Sequence, residues 1–141
     1  MEQSFDRPPD SGEELAALLE RSGVDFVRQD NQFRFRFSSG GCTWQTVCLC
    51  QDDRVLVYGI HPTPVEDSGR ALALCSQLNS QLAEGSLFLQ EERFVFRTSA
   101  RLTEYFEAQS RIAGALEYNA AFLSHWWERL TAEAQGLTFH P

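Results

Sequence analysis

Residues 33–37 read Phe-Arg-Phe-Arg-Phe. Successive side chains of a β-strand point to opposite faces, so as a strand this run puts three rings on one side and two guanidinium groups on the other. Wound as a helix, the same residues would scatter rings and cations around the axis and give no dry stripe. The run therefore demands a sheet with one buried face, covered by helices or by a second sheet. The alternation returns in residues 93–98, where Phe94 and Phe96 alternate with Arg93, Val95 and Arg97. If all these rings face one core, parity collects Arg34, Arg36, Arg93 and Arg97 on the opposite face.

The remaining periodicities supply the other elements. Glu13 opens a first helix that Ser11 or Gly12 can cap, with Leu15, Leu18 and Leu19 as its apolar stripe and Gly23 as its stop. Residues 24–28 form a short strand or an extended lead-in before the Asp30-Asn31 turn. Residues 38–41, Ser-Ser-Gly-Gly, read as a loop. Strands follow at 43–50 and 55–60 across an Asp52-Asp53 hairpin turn. The second of these is apolar on both faces, which places it centrally in the sheet or under cover. Residues 65–83 form a second helix facing inward with Leu72, Cys75, Leu78, Asn79 and Leu82. Residues 87–90 and 93–98 are two further strands joined by Glu91-Glu92.

Residues 103–134 then run as one long helix with Thr103 as cap. Its seam is Ile112, Leu116, Asn119, Leu123, Trp126 and Leu130. About thirty residues span roughly 45 Å, more than the width of a small domain, so the helix bends near Gly114 or projects. Asn79 and Asn119 interrupt apolar seams and require partners, from local backbone or across a helix contact. The expected fold is α+β in the order α-β-β-β-α-β-β-α, a twisted, mainly antiparallel sheet packed against helices. One domain covers 13–135, after a disordered acidic tail at 1–12 and before a short C-terminal tail at 136–141.

Twelve arginines, no lysine and twenty acidic residues give a net charge of −8 in 141 residues. The absence of lysine excludes Schiff-base chemistry, pyridoxal anchoring and the lysine phosphate loop. The acidic balance argues against nucleic-acid binding as the main activity, though a local basic patch remains compatible with it. No run approaches the ~20 apolar residues of a membrane span, and the N-terminal residues lack a basic, then apolar, export pattern. The expectation is a cytoplasmic protein with reduced thiols at Cys42, Cys48, Cys50 and Cys75.

Several residues carry a resemblance. Leu78-Asn79, Gly85, Leu87-Phe88-Leu89, Phe94-Val95-Phe96-Arg97 and Arg101-Leu102 stand in an order that resembles the YbjN family, sensory transduction regulators of bacteria. The resemblance covers residues 13–132, and the family is similar in fold to the type III secretion chaperones. It implies homodimerisation, a role in holding or regulating another protein, and no catalytic residues. Cys48-Leu49-Cys50 and Trp126-Trp127 are not part of it.

No reagent set stands out beside that reading. Only His61, His125 and His140 could serve as imidazole bases, and no nucleophile-elbow sequence is present. The acid pairs 13–14, 52–53, 66–67 and 91–92 fall at helix starts or turns, where wet carboxylates keep ordinary acidity. Cys42, Cys48, Cys50 and His61 could supply four zinc-type ligands, without the Cys-x-x-Cys knuckle of structural zinc sites. His61 otherwise reads as a surface loop histidine beside buried thiols.

The favoured expectation is a non-enzymatic protein-binding module without cofactor. Arg34, Arg36, Arg93 and Arg97 form its docking strip for an acidic protein segment. Phe122, Trp126 and Trp127 form its self-association surface, because adjacent tryptophans on a helix point about 100° apart and cannot both enter one core. The alternative is a thiol- or metal-based sensor built on Cys42, Cys48, Cys50 and His61.

Overall fold

The computed structural model describes residues 9–103 and 105–137. Helix α1 (Ser11–Arg21) leads into four strands, β1 (Phe26–Gln29), β2 (Gln32–Ser39), β3 (Cys42–Gln51) and β4 (Arg54–Ile60). Helix α2 (Ser68–Asn79), strands β5 (Ser86–Gln90) and β6 (Arg93–Arg101), a 3-10 turn (Tyr105–Glu107) and helix α3 (Ala108–Ala134) complete the α+β order. The six strands form one antiparallel sheet in the order β1-β2-β3-β4-β6-β5.

Every sequential hairpin of this sheet closes over two residues, with Gln29 opposite Gln32, Ser39 opposite Cys42, Gln51 opposite Arg54 and Gln90 opposite Arg93. Such turns match the twist of the strands when their residues take positive φ. Gly40 and Gly41 do so at no steric cost, and Asp30, Asp52, Glu91 and Glu92 do so as well. The Ser-Ser-Gly-Gly stretch, expected as a loop, is therefore the last two residues of β2 and a two-residue turn. The extended lead-in at 24–28 contributes a true edge strand, β1.

All three helices cover the same face. Phe33, Phe35, Cys48, Cys50, Val55, Val57 and Ala100 pack with Leu15 and Leu19 of α1 and Ile112 and Leu116 of α3. Trp44, Leu87, Phe94 and Phe96 pack with Leu74 and Leu78 of α2 and Phe122, Leu123 and Leu130 of α3. The strand register puts all of these residues on one side. Helix α3 is anchored by polar contacts as well as apolar ones. The Asn119 amide donates to the carbonyls of Val57 and Phe96, at 3.1 and 2.8 Å, and Thr98 Oγ1 donates to Ala115 O at 2.8 Å. Gly59 makes this approach possible, since a Cβ there would strike Asn119 Oδ1 and Leu123 Cδ1. Asn79, by contrast, clamps the backbone N–H and C=O of Leu87 at the start of β5, both at 2.8 Å.

The helix boundaries differ from the sequence expectation in three places. Helix α1 begins at Ser11 because Asp10, not Ser11 or Gly12, is the cap, accepting from the Glu13 N–H at 2.9 Å. This shortens the expected tail of 1–12, whose residues 1–8 lie outside the described residues, as do 138–141 of the C-terminal tail and His140 within it. Helix α2 begins at Ser68 under an Asp67 cap, and its inward stripe is Ala71, Leu74, Cys75 and Leu78. Leu72 is 53% exposed. Helix α3 begins at Ala108 after the 3-10 turn, so Thr103 does not cap it, and it passes through Gly114 as one helix. Its 27 residues span about 40 Å. Its end is tied back by Arg70, which reaches Glu133 Oε1 at 3.0 Å and the carbonyls of Gly136 and Leu137 at 3.1 and 2.8 Å.

Candidate functional site

The face of the sheet turned away from the helices is uncovered by the described residues. Its side chains follow from strand parity and the register. One row runs Val27, Arg34, Val47, Tyr58, Arg97, Ser86 across all six strands. A second runs Arg36, Gln45, Ile60, Val95, Phe88, and a third Gln29, Gln32, Leu49, Leu56, Ser99. Arg93 lies beyond one end of this array, and Arg54 beside Arg101 beyond the other.

The charges on this face are of one sign. Arg34, Arg36, Arg54, Arg93, Arg97 and Arg101 are six of the chain's twelve arginines, and no described strand residue on the face is acidic. Arg101 pairs with Asp53 at 3.3 Å. Arg34, Arg36, Arg93 and Arg97 make no ion pair among the described residues, Glu91 and Glu92 included. Neutral contacts hold Arg34, Arg93 and Arg97 instead. Arg34 donates to Gln32 Oε1 at 3.3 and 3.4 Å, Arg93 donates to Pro62 O at 3.3 Å, and the Arg97 guanidinium lies 5.8 Å from the centre of the Phe88 ring. The Phe88 ring meets Tyr58 edge-on at 6.4 Å.

Between the arginines the floor is apolar. Val47 and Val95 are buried by their neighbours, and Leu49, Leu56, Tyr58, Ile60 and Phe88 are half-buried. An open depression of about 480 Å³ runs over Val47, Leu49, Tyr58, Ile60 and Val95, with Arg34, Arg93, Arg97 and the turn residue Glu91 at its margins. The four arginines expected to share a face do share it. Sequence reasoning missed this floor, and it missed Arg54 and Arg101. The signal for the floor was present: residues 55–60 are apolar at both parities, and β4 is indeed central. One of its apolar faces meets the core, and the other has no cover within the described chain.

The residues expected at a self-association surface separate. Phe122 is buried and stacks on Phe96, with ring centres 3.7 Å apart. Trp127 leans over His61 at 4.5 Å and Trp44 at 5.6 Å. Trp126 is half-buried, 6.3 Å from Phe122 and 5.0 Å from His125. Both tryptophans border a second depression of about 770 Å³, together with Cys42, Arg70 and Arg129.

The thiol set does not assemble. Cys48 and Cys50 lie in the core beside α1, whereas Cys42 packs against the other cluster. Among the described residues no three His, Cys, Asp or Glu side chains converge to hold a metal. Burial, reinforced by neighbouring Cys50, pushes the Cys48 thiol well above the ordinary thiol range. Burial also raises Cys50, against the opposing pull of the Ser11 hydroxyl and Arg28, and raises Cys75 to about 11. Thiols so protonated are poor nucleophiles and poor ligands. His61 is not a surface loop residue but fully buried. Its Nδ1 accepts from the Thr63 N–H at 3.3 Å, and its Nε2 meets Thr131 Oγ1 at 2.9 Å. The Thr131 hydroxyl donates to Trp127 O at 2.8 Å, so His61 Nε2 is the donor in a neutral ring. Burial lowers its pKa to about 4.

No protein-family model matches the chain, and no curated protein matches it. Among solved structures, the crystal structure of YbjN from E. coli, a candidate transcription regulator, superimposes with a TM-score of 0.57. The match covers 91% of this chain and 95% of the other at 15% identity. At that identity the likeness is one of fold, and the chain has a YbjN-like fold.

Proposed function

We propose that the chain is a non-enzymatic, cytoplasmic protein-binding module, chaperone-like or regulatory, that captures another protein on the open face of its sheet. One observation carries the reading: an uncovered sheet face with an apolar floor holds six arginines and no acidic strand residue, in a chain of net charge −8, with Asp25, Asp53 and Glu91 only at its edges. Four of those arginines have no carboxylate partner among the described residues, so an acidic segment would supply charge they lack. A second copy of the same face would bring arginine against arginine. Nucleic acid is disfavoured by the overall charge, and the floor offers only Tyr58 and Phe88 as rings for a base to stack on.

Affinity capture from native lysate at low and at high salt tests the reading, with Arg34→Glu/Arg36→Glu as the comparison. The expected result is a set of proteins retained by the wild type, released by salt and absent from the variant. Identical retention by both proteins counts against this reading.

Homodimerisation belongs to the same proposal, and the half-buried Trp126 and Trp127 at the end of α3 are the surface for it. The Phe122 ring supports them from within the core and offers little contact area of its own.

A further inference from the structure

We propose that the segment captured on the open face is an amphipathic α-helix with acidic flanks, lying along the strands between two lines of arginine. The inference rests on the protein-binding reading and adds the shape of the bound segment. Arg34 and Arg36 stand on β2, and Arg93 and Arg97 on β6. Strands β3 and β4 lie between them, so the two lines are three strand spacings apart, about 14 Å. A helix with its side chains is about 10–12 Å across and fits that width with both lines in reach. A single extended strand is about 5 Å wide and would meet one line and leave the other unpaired.

The floor has the matching dimensions. From Leu56 to Ile60 it runs along β4 for about 13 Å, which corresponds to some nine residues of helix, or two to three turns. A stripe of apolar residues at i, i+3, i+4 and i+7 would cover Val47, Leu49, Tyr58 and Ile60. Carboxylates on both sides of the stripe would then meet Arg34 and Arg36 on one flank and Arg93 and Arg97 on the other. Helices laid on a sheet face are the ordinary way in which such a face is buried, and this chain leaves all of its own helices on the opposite side.

Fluorescence anisotropy with the full-length protein and capped sixteen-residue peptides tests the inference. The first probe carries leucines on one helical stripe and glutamates on both flanks. The second has the same composition in an order that destroys the stripe, the third has a central proline, and the fourth has lysines in place of the glutamates. A single-stranded oligonucleotide is a fifth. The expected result is binding of the first probe that weakens with salt, with at least a tenfold loss for the scrambled and proline probes and none detected for the lysine probe. In Arg34→Glu/Arg97→Glu, which takes the four arginines from a charge of +4 to none, the preference for the glutamate probe over the lysine probe should be lost. Arg111→Glu, on the helical side, should bind like the wild type.

Equal binding of the striped, scrambled and proline probes would overturn the helix and leave protein binding standing. Tighter binding of the oligonucleotide would overturn both. A lack of binding by the striped probe would overturn the helix, while the lysate capture decides the broader reading independently. Unchanged melting temperatures of the variants, whose substituted side chains are exposed, confirm that a lost signal is lost contact.

Discussion

Single residues set the stability of this fold in ways that can be measured. His61 is neutral and enclosed by Trp127, Thr131 and Thr63. Its folded pKa of about 4 lies below the ordinary 6.5, so the unfolded chain binds the extra proton first as pH falls. Stability from this residue is complete above pH 6.5, declines between 6.5 and 4, and changes no further below that. A shift of this size corresponds to on the order of 3 kcal/mol at most. Urea denaturation across that range should show the slope in the wild type and a flatter one in His61→Gln.

Gly59 is a second such position. Gly59→Ala would press a methyl group onto Asn119 and Leu123 and should cost about 1–3 kcal/mol in the same assay. The thiols of Cys42, Cys48 and Cys75 should separate by access. Half-exposed Cys42 should react with a thiol reagent in the native protein, and Cys48 and Cys75 only after denaturation. None of these three environments could be read from the sequence. A histidine between a strand and two prolines gives no sign of whether a tryptophan sixty-six residues away will close over it. The asparagine seams were legible as a demand for partners, but not as the different answers found, with Asn79 holding local backbone and Asn119 crossing to the sheet.

At the level of elements, the strands were far more legible than the helix ends. Alternation of Phe with Arg leaves one solution for β2 and β6, and parity alone predicts which face each arginine takes. Asp10 takes the cap of α1 in place of the Ser or Gly expected there, Asp67 caps α2, and α3 starts after Glu107 with no side-chain cap. The inward stripe of α2 is Ala71, Leu74, Cys75 and Leu78, an i, i+3, i+4, i+7 set, and Leu72 lies outside it in solvent.

Helix α3 illustrates the opposite case. Its seam residues Ile112, Leu116, Asn119, Leu123 and Leu130 are buried as their spacing demands, and Trp126 is only partly so. The tryptophan that reaches the core contact is Trp127, against His61 and Trp44. Trp126 is therefore the better probe of self-association. Trp126→Ala should shift sedimentation velocity profiles towards the smaller species at a given concentration, with little loss of melting temperature. An unchanged profile would remove α3 from the dimer proposal.

Across the whole molecule the decisive property is segregation of charge. The chain carries twenty acidic residues, yet among the described residues those on the sheet side are confined to turns and to Asp25 just before β1, and arginine is the only charged residue that the strands present on that face, around an apolar strip. One-sided burial normally leaves a mixed polar outer face, with opposite charges paired across strands. Here the outer face has an apolar floor and unpaired cations, a composition that wet solvent explains poorly and an acidic partner explains well. At 15% identity the likeness to YbjN is one of fold and contributes nothing on which residues bind.

Arginine footprinting with a dicarbonyl reagent, read by mass spectrometry, measures that face directly in the purified protein and in native lysate. The account predicts that Arg34, Arg36, Arg93 and Arg97 are modified readily in the purified protein and protected in lysate, while Arg111 and Arg21 label alike in both. Equal labelling of the four in both conditions, or protection confined to the helical side, would contradict it.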